Sequence, residues 1–439
     1  MQNHVSIMPL LITIVSFISI LLVVVVFHEL GHLLVAKLFK VKTLEFGIGY
    51  PPRIFCIYTG KTVIRITEST SCIGETSLNP GSIVRVSSIS QSGKLTAVSI
   101  ANKSTNNPLP SSTSSVLLHE GKIIENTGKQ ITIADMIYSI NLIPLGGFVK
   151  LSGENDPDLP DSLGSKSAWK RSLILLSGAF MNAIYPILAF AIMFTIPHQV
   201  PVEQTAQVII KDVSINSPAS KSGLLPEDII KSINYAEIIS ITDLRKSLDN
   251  SKGQTAIWVL DRNNELVTLN VQSEYDFELE KWVTGIQITT IYLEYQTKSD
   301  PPWTALSNGV KSTIELVNAL KTELALLFNK NIVNQITGPI GIAQISGEVA
   351  SAGGIEGLII LSIIISINLA ILNILPIPML DGGRLLFVLI EMISGGKRVP
   401  KDKENFIHAL GFIFLITLVI IISMKDIQRI IIGESLLGN

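Results

Sequence analysis

Charge is scarce in this chain. Of its 439 residues only 16% are Asp, Glu, Lys or Arg, against 47% hydrophobic, and the mean hydropathy is +0.45. That excludes an ordinary soluble enzyme, although the polar share is too large for a chain lying wholly in lipid. Basic excess is missing as well: the net charge of −2 leaves no footprint for nucleic acid. Cysteine is almost absent. Cys56 and Cys72 are the only two, outside any metal-finger or redox spacing, so a disulfide framework is not expected. The first apolar run also lacks a basic leader and a small-residue cleavage site, and it reads as a retained span rather than a removed signal peptide.

What the chain does have is long uncharged apolar runs, at 5–27, 172–196, 357–380 and 406–424. Each is about the length that crosses a bilayer as a helix. Lys37, Lys40 and Lys42 follow the first; Lys166, Lys170 and Arg171 precede the second; Arg384, Lys397, Arg398, Lys401 and Lys403 lie between the third and fourth. The bias of basic residues toward the cytoplasm then puts 39–171 and 384–405 inside, and both termini and 197–356 outside. Both cysteines fall on the reducing side.

The first run closes on His28-Glu29-Leu30-Gly31-His32. Helical spacing sets the two imidazoles one turn apart on one face, with Glu29 beside them: two metal ligands and a general base, the minimal set for a zinc hydrolase. The alternative is a helix end whose polar side chains reach for the interface. Three costly groups at the end of a spanning helix favour function.

A catalytic zinc takes three protein ligands. Asn368 and Asn373 are polar positions in the third run, which Pro376 and Pro378 break just before Asp381-Gly382-Gly383. Proline frees backbone groups, which membrane proteins tolerate only where they are buried in protein or line a cavity. On the fragment alone Asp381 reads equally as a cap for a helix starting at Arg384. Its expected depth, the same as that of the His pair, favours the third ligand.

Elsewhere, 43–68 reads as a strand pair and 70–135 as a small β-rich insert with a loose loop near Asn102–Ser115. His119-Glu120 within the insert reads as solvated surface. Gly146-Gly147, beside β-type residues, suggests a strand edge that something approaches closely, or an ordinary bulge. An α+β pattern occupies 206–290, and 303–328 carries an apolar stripe of Leu306, Val310, Ile314, Val317 and Leu320.

Three segments together carry a family resemblance: the His28–His32 motif, Pro144–Lys150, and Asn373–Gly383, in that order and with that topology. The chain resembles the bacterial site-2 proteases, the family of the regulator-of-sigma-E proteases. The resemblance extends to 206–290, which is similar to a PDZ domain, and to Gly338-Pro339-Ile340-Gly341 ahead of the third span. It implies Zn2+ held by His28, His32 and Asp381, and Glu29 as catalytic base. It also implies that strands 43–68 dip into the membrane, and that Asn368 and Asn373 hold the substrate backbone. Substrate capture by strand addition is expected along Gly146 and Gly147.

The expected fold is a polytopic α-helical membrane protein of about four transmembrane helices, with a membrane-associated β-hairpin and an extracytoplasmic α+β PDZ-like domain. The segments run 1–38 (first span with the motif), 39–69 (membrane-associated strands), 70–135 (cytoplasmic β-rich insert) and 136–171 (strand edge and connector). They continue as 172–197 (second span), 206–290 (PDZ-like), 300–356 (amphipathic helix and connector), 357–383 (third span), 384–405 (cytoplasmic loop) and 406–424 (fourth span). The implied function is intramembrane zinc endoproteolysis in the bacterial inner membrane. The substrates would be single-pass membrane proteins such as anti-sigma factors or signal-peptide remnants, cut near the cytoplasmic face. The insert and the single PDZ-like domain depart from the family pattern. Two rival readings are a non-catalytic adaptor working through the PDZ-like domain, and a transporter. The transporter is disfavoured because no repeat of spans is visible.

Overall fold

The structure, a computed structural model, describes residues 7–73, 78–91, 94–102, 116–153, 161–202, 205–276, 281–327 and 337–432. Most of the loop expected at 102–115 lies outside these. The chain divides into two compact units, one comprising 1–191 and 306–439 and the other 192–305.

Helix α1 (Ile7–Leu38) carries the first apolar run. It ends where Lys40 takes a left-handed backbone (φ +57) and the Val41 N–H returns to the Ala36 carbonyl. Strand β1 (Thr43–Thr59) follows, and its partner is distant: β8 (Met136–Leu151). Phe46 faces both Val149 and Tyr138, and Ile48 both Gly147 and Ile140, so 45–48 lies between two stretches of β8; the far half of β1 pairs back from Arg53↔Asn141 to Thr59↔Met136. The expected strand pair within 43–68 is therefore corrected. Gly60 (φ +83) turns the chain after Thr59, and β2 (Thr62–Arg65) joins a different sheet, where Ile64 is fully buried. The tips of β1 and β8 expose Tyr50, Ile54, Phe55, Leu142, Ile143 and Leu145. A sheet that turns such residues outward is built for an apolar surrounding.

Between β1 and β8 stand β2, β3 (Ser71–Ile73), β4 (Ile83–Gln91), β5 (Lys94–Asn102), β6 (Val116–Asn126) and β7 (Gln130–Ala134). Their order is β2-β7-β6-β4-β5, and β2 also pairs with β5, which closes a small barrel with β3 appended to β5. Ile64, Val84, Val86, Ala97, Ile100, Ile123, Ile131 and Ile133 fill it. Closure leaves no open edge in the barrel.

Helix α2 (Ala168–Thr195) is the second apolar run. The second unit then presents β10 (Ala206–Val213), β11 (Ile229–Ile233), β13 (Thr255–Arg262), β14 (Glu265–Gln272) and β17 (Ile286–Tyr292) in a sheet ordered β14-β13-β11-β10-β17. The numbering leaves room for the short strands β9 (His198–Pro201), β12 (Ala236–Glu237), β15 (Glu274–Asp276), β16 (Lys281–Val283) and β18 (Tyr295–Lys298). Helices α3 (Pro218–Lys221) and α4 (Ile241–Ser251) accompany the main sheet; Ser240 and Asp243 form a reciprocal capping box at the start of α4. Trp258, Ile210, Leu224, Ile230, Ile233 and Leu244 centre its core.

Helix α5 (Pro302–Leu327) follows. The expected apolar stripe does not form its buried face throughout: Leu306, Val310 and Ile314 are exposed, and Gly309 and Thr313 are buried instead. A Cβ on Gly309 would stand 2.6 Å from the Ile187 carbonyl oxygen, so small residues set the crossing with α2. Only the later stripe residues, Val317 and Leu320, join the core that α1, α2 and α6 (Pro339–Ile374) build from Ile20, Val24, Tyr185, Ala189, Ile363 and Ile367. Helix α6 breaks at Gly354 (φ +56, ψ −143) and stops at Ile374, earlier than the expected end of the third span. Pro376 and Pro378 end it, because proline cannot donate and restricts the residue before it. The loop expected at 384–405 opens with α7 (Asp381–Ile393), and α8 (Lys401–Ile432) completes the chain. Among the described residues α1, α2, α6 and α8 are long and apolar enough to cross a membrane.

Candidate metal centre

Three side chains from two elements distant in sequence converge on one point. His28 and His32 come from α1, and Asp381 is the first residue of α7. His28 Nε2 lies 3.0 Å from Asp381 Oδ2, His32 Nε2 lies 3.2 Å from the same oxygen, and the two Nε2 atoms are 3.2 Å apart. Zinc bonds of about 2.0–2.1 Å at tetrahedral angles space their donors roughly 3.3 Å apart. The triangle thus fits zinc in donor type, number and spacing. Among the described residues this is the one group of three or more His, Cys, Asp or Glu so arranged.

The other ring nitrogens are held from α2. His32 Nδ1 lies 2.8 Å from the Ile174 carbonyl oxygen, and His28 Nδ1 lies 3.3 Å from the Asn182 side-chain amide. A metal-binding imidazole is oriented by the partner of its other nitrogen. Asn182 is fully buried, and its Oδ1 has no partner as assigned. Amide O and N are assigned rather than observed. Turned over, Oδ1 accepts the His28 Nδ1–H and leaves Nε2 bare for the metal. Helices α1 and α2 meet here through glycine: a Cβ on Gly178 would stand 2.5 Å from both His28 Cε1 and His32 Nε2, and one on Gly31 would collide with the Ser177 carbonyl oxygen.

Glu29 follows His28 on α1 and also meets strand β8. Its Oε2 accepts the Val149 N–H at 3.0 Å, so β8 runs beside it. What approaches Gly146 and Gly147 closely is α1 itself. A Cβ on Gly146 (φ +102) would meet Val25 Cγ1 at 3.0 Å, and one on Gly147 would meet the Gly47 carbonyl oxygen at 2.8 Å and Val26 Cγ2 at 3.4 Å. The two glycines let the strand lie against the helix one turn before His28.

The break after α6 delivers Asp381. The chain folds back so tightly that a Cβ on Gly382 or Gly383 would collide with the carbonyl oxygens of Leu375 or Ile377. Asp381 is the first residue of α7, the cap position is Leu380, and the Asp381 carboxylate faces the imidazoles. Asn368 is exposed on α6 and Asn373 half-buried near its end; no hydrogen bond joins either to the triangle. Sequence reasoning overlooked Ser177, Gly178 and Asn182. The signal was there: a polar Asn inside an otherwise apolar span, the argument already applied to Asn368 and Asn373.

His119 and Glu120 are not solvated surface. His119 is buried; the Ser88 hydroxyl lies 2.8 Å from its Nε2, and its Nδ1 lies 3.0 Å from Asp135 Oδ2. Lys42 and Thr62 also donate to Asp135, at 2.5 and 2.8 Å. Glu120 accepts from Arg53 at 2.7 Å. These partners, Lys42, Arg53, Thr62, Ser88 and Asp135, come from five other places in the sequence, which no local spacing reveals.

A zinc-type triangle with a glutamate beside it, its two histidines on a helix apolar enough to span a membrane, defines a membrane metallopeptidase. The chain belongs to peptidase family M50, whose model matches residues 16–86 and 121–418. It is 30% identical over 435 residues to the Regulator of sigma-W protease RasP of Bacillus subtilis, spanning 95% of this chain and 99% of that one. It is 29% identical over 434 residues to the Zinc metalloprotease RasP of Oceanobacillus iheyensis, with the same shares. Among solved structures, the PDZ domain of an SdrC-like protein from Listeria monocytogenes matches 19% of this chain and 86% of that one, at 17% identity and a TM-score of 0.17. The protein is a zinc metalloprotease of the site-2 type with Zn2+ as its cofactor, and its four long apolar helices make it a multi-span membrane protein.

Proposed function

We propose that the protein cleaves transmembrane segments of single-pass membrane proteins, anti-sigma factors or signal-peptide remnants, near the cytoplasmic face of the bacterial inner membrane. The observation that carries this is the His28–His32–Asp381 triangle, with Glu29 next to it on a helix of spanning length. His28, His32 and Asp381 are the ligands, and a zinc ion there supplies Lewis acidity and lowers the pKa of water. Glu29 takes the proton of the attacking water and passes it to the leaving amine. Burial of the ligands within the helices keeps the chemistry out of bulk water.

A substrate helix hides its carbonyls in its own hydrogen bonds and has to unwind before cleavage. Strand β8 supports this step. Its Val149 N–H is directed at Glu29, so a substrate strand laid along that edge brings a carbonyl past the base. Gly146 and Gly147 set how closely the edge lies to α1, and Asn368 and Asn373 hold the substrate backbone. By the charge bias both termini and the PDZ domain lie outside. There the PDZ domain excludes intact substrates or docks trimmed ends.

Glu29→Gln tests the reading. Removing a general base costs about 10²–10⁴ in rate. Cleavage of a model transmembrane substrate is therefore expected to fall by that factor while zinc content, read by elemental analysis, stays stoichiometric. Near-normal turnover in this variant would remove Glu29 from the mechanism.

A further inference from the structure

A cavity of about 470 Å³ opens where the barrel meets the chain leaving α1. Lys42, Lys61, Arg65 and Lys94 line it, with His119 at its floor. The one acid among its lining residues is Asp161, which is two-thirds exposed and paired with Lys166. Lys42 is already matched by Asp135. Lys61, Arg65 and Lys94 are exposed and make no ion pair among the described residues. Three unmatched cations around one concave surface repel one another and raise the local potential, a field that gathers anions. The guanidinium adds a fork suited to phosphate oxygens. Val63, Leu95 and Leu117 provide an apolar wall beside the cations, which a bare inorganic ion does not need.

We propose that this pocket binds a phosphate ester: the phosphate sits among Lys61, Arg65 and Lys94, and its organic part lies against Val63, Leu95 and Leu117. The site is separate from the metal centre and does not depend on the proteolytic reading. Lys42 stands four residues beyond the end of α1, so the ester is either the headgroup of an anionic lipid or a soluble phosphomonoester.

Amine labelling of the full chain in nanodiscs, read by mass spectrometry at Lys61 and Lys94, tests it. Two probes separate the sources: AMP added to phosphatidylcholine discs, and discs containing phosphatidylglycerol with no AMP. With a probe at about ten times its half-saturating level, labelling of Lys61 and Lys94 slows about tenfold by mass action, while exposed Lys246 is unchanged. Protection by AMP assigns a soluble ester, and protection only in phosphatidylglycerol discs assigns a lipid headgroup. In the Arg65→Gln, Lys94→Gln variant, Lys61 is expected to lose that protection. No protection from either probe overturns the proposal. So does protection of Lys61 that survives unchanged in the variant, because that is general attraction to an anionic surface.

Discussion

The protein buries histidine against aspartate twice, and the two places differ in where the remaining polar atoms go. In the barrel, the His119 ring is satisfied by the chain itself: Ser88 serves Nε2, Asp135 serves Nδ1, and Lys42 and Thr62 complete Asp135. In the membrane unit, His28 and His32 spend only Nδ1 on α2, and both Nε2 atoms converge on Asp381 Oδ2 with no lysine or hydroxyl between them. A closed network fixes structure, because every buried donor and acceptor has a partner. A convergent set of ligand atoms, each backed on its far side, is built to hold something else. Burial and residue type are the same in both; the direction of the lone pairs separates them.

Breaking the convergent set has the largest expected effect. Asp381→Ala removes one of three donors, and zinc affinity and cleavage should fall together by more than a hundredfold, beyond the roughly 10–100-fold seen on losing an outer-shell partner. Stoichiometric zinc surviving mild chelation in this variant would mean that Asp381 only starts α7. Asn182→Leu acts one step further out. It leaves all three donors but strips the His28 Nδ1 partner, so zinc affinity should drop by about 10–100-fold. Asn182→Asp, which can still accept from Nδ1, should recover most of it. Equal affinities for the Leu and Asp variants would show that Asn182 merely fills space.

Breaking the closed network should do the reverse. His119→Leu leaves Ser88 and Asp135 buried without their partner, which costs about 1–3 kcal/mol for an orphaned buried group. The barrel strands should lose hydrogen-exchange protection by that amount while zinc stays bound. Zinc loss with an intact barrel would make the two networks one.

The contrast also explains what was legible in advance. His28, Glu29 and His32 announce themselves because helical period puts them on one turn, and Asp381 because two prolines break an apolar run just before it. The α+β pattern read over 206–290 is met by strands at Ala206–Val213, Thr255–Arg262 and Glu265–Gln272, because short β-type runs between turn residues carry a local signal. The partner of β1 was not: it lies beyond the whole barrel, and strand patterns carry no record of which distant strand they meet. His119 failed for the same reason, since Lys42 is 77 residues away and Ser88 31. Asn182 was readable and was passed over.

The smallest effect concerns acid. Burial lowers the His119 pKa below its ordinary value near 6.5, and the Lys42 ammonium adds to this, against the pull of Asp135. Burial alone would raise the Asp135 carboxyl, but the His119 hydrogen bond and Lys42 hold it down at about 2. Both pKa values are lower in the folded state, so in both windows the unfolded chain binds more protons and stability falls with falling pH. The first loss begins as pH drops below about 6.5, when an unfolded histidine charges but His119 stays neutral. The second runs from about pH 4, the ordinary carboxylate range, down to about 2. Each proton costs at most about 1.4 kcal/mol per pH unit. Amide protection in β4–β7, corrected for intrinsic exchange rates, should therefore weaken between pH 7.5 and 5.5 in the full chain. His119→Gln has no proton to take up there, so its barrel, less stable at pH 7.5, should show a flat profile over the same interval. A wild-type profile that strengthens as pH falls would mean that His119 carries its charge inside the barrel, paired with Asp135, and a flat one that its proton affinity is the same folded as unfolded; either overturns the neutral network.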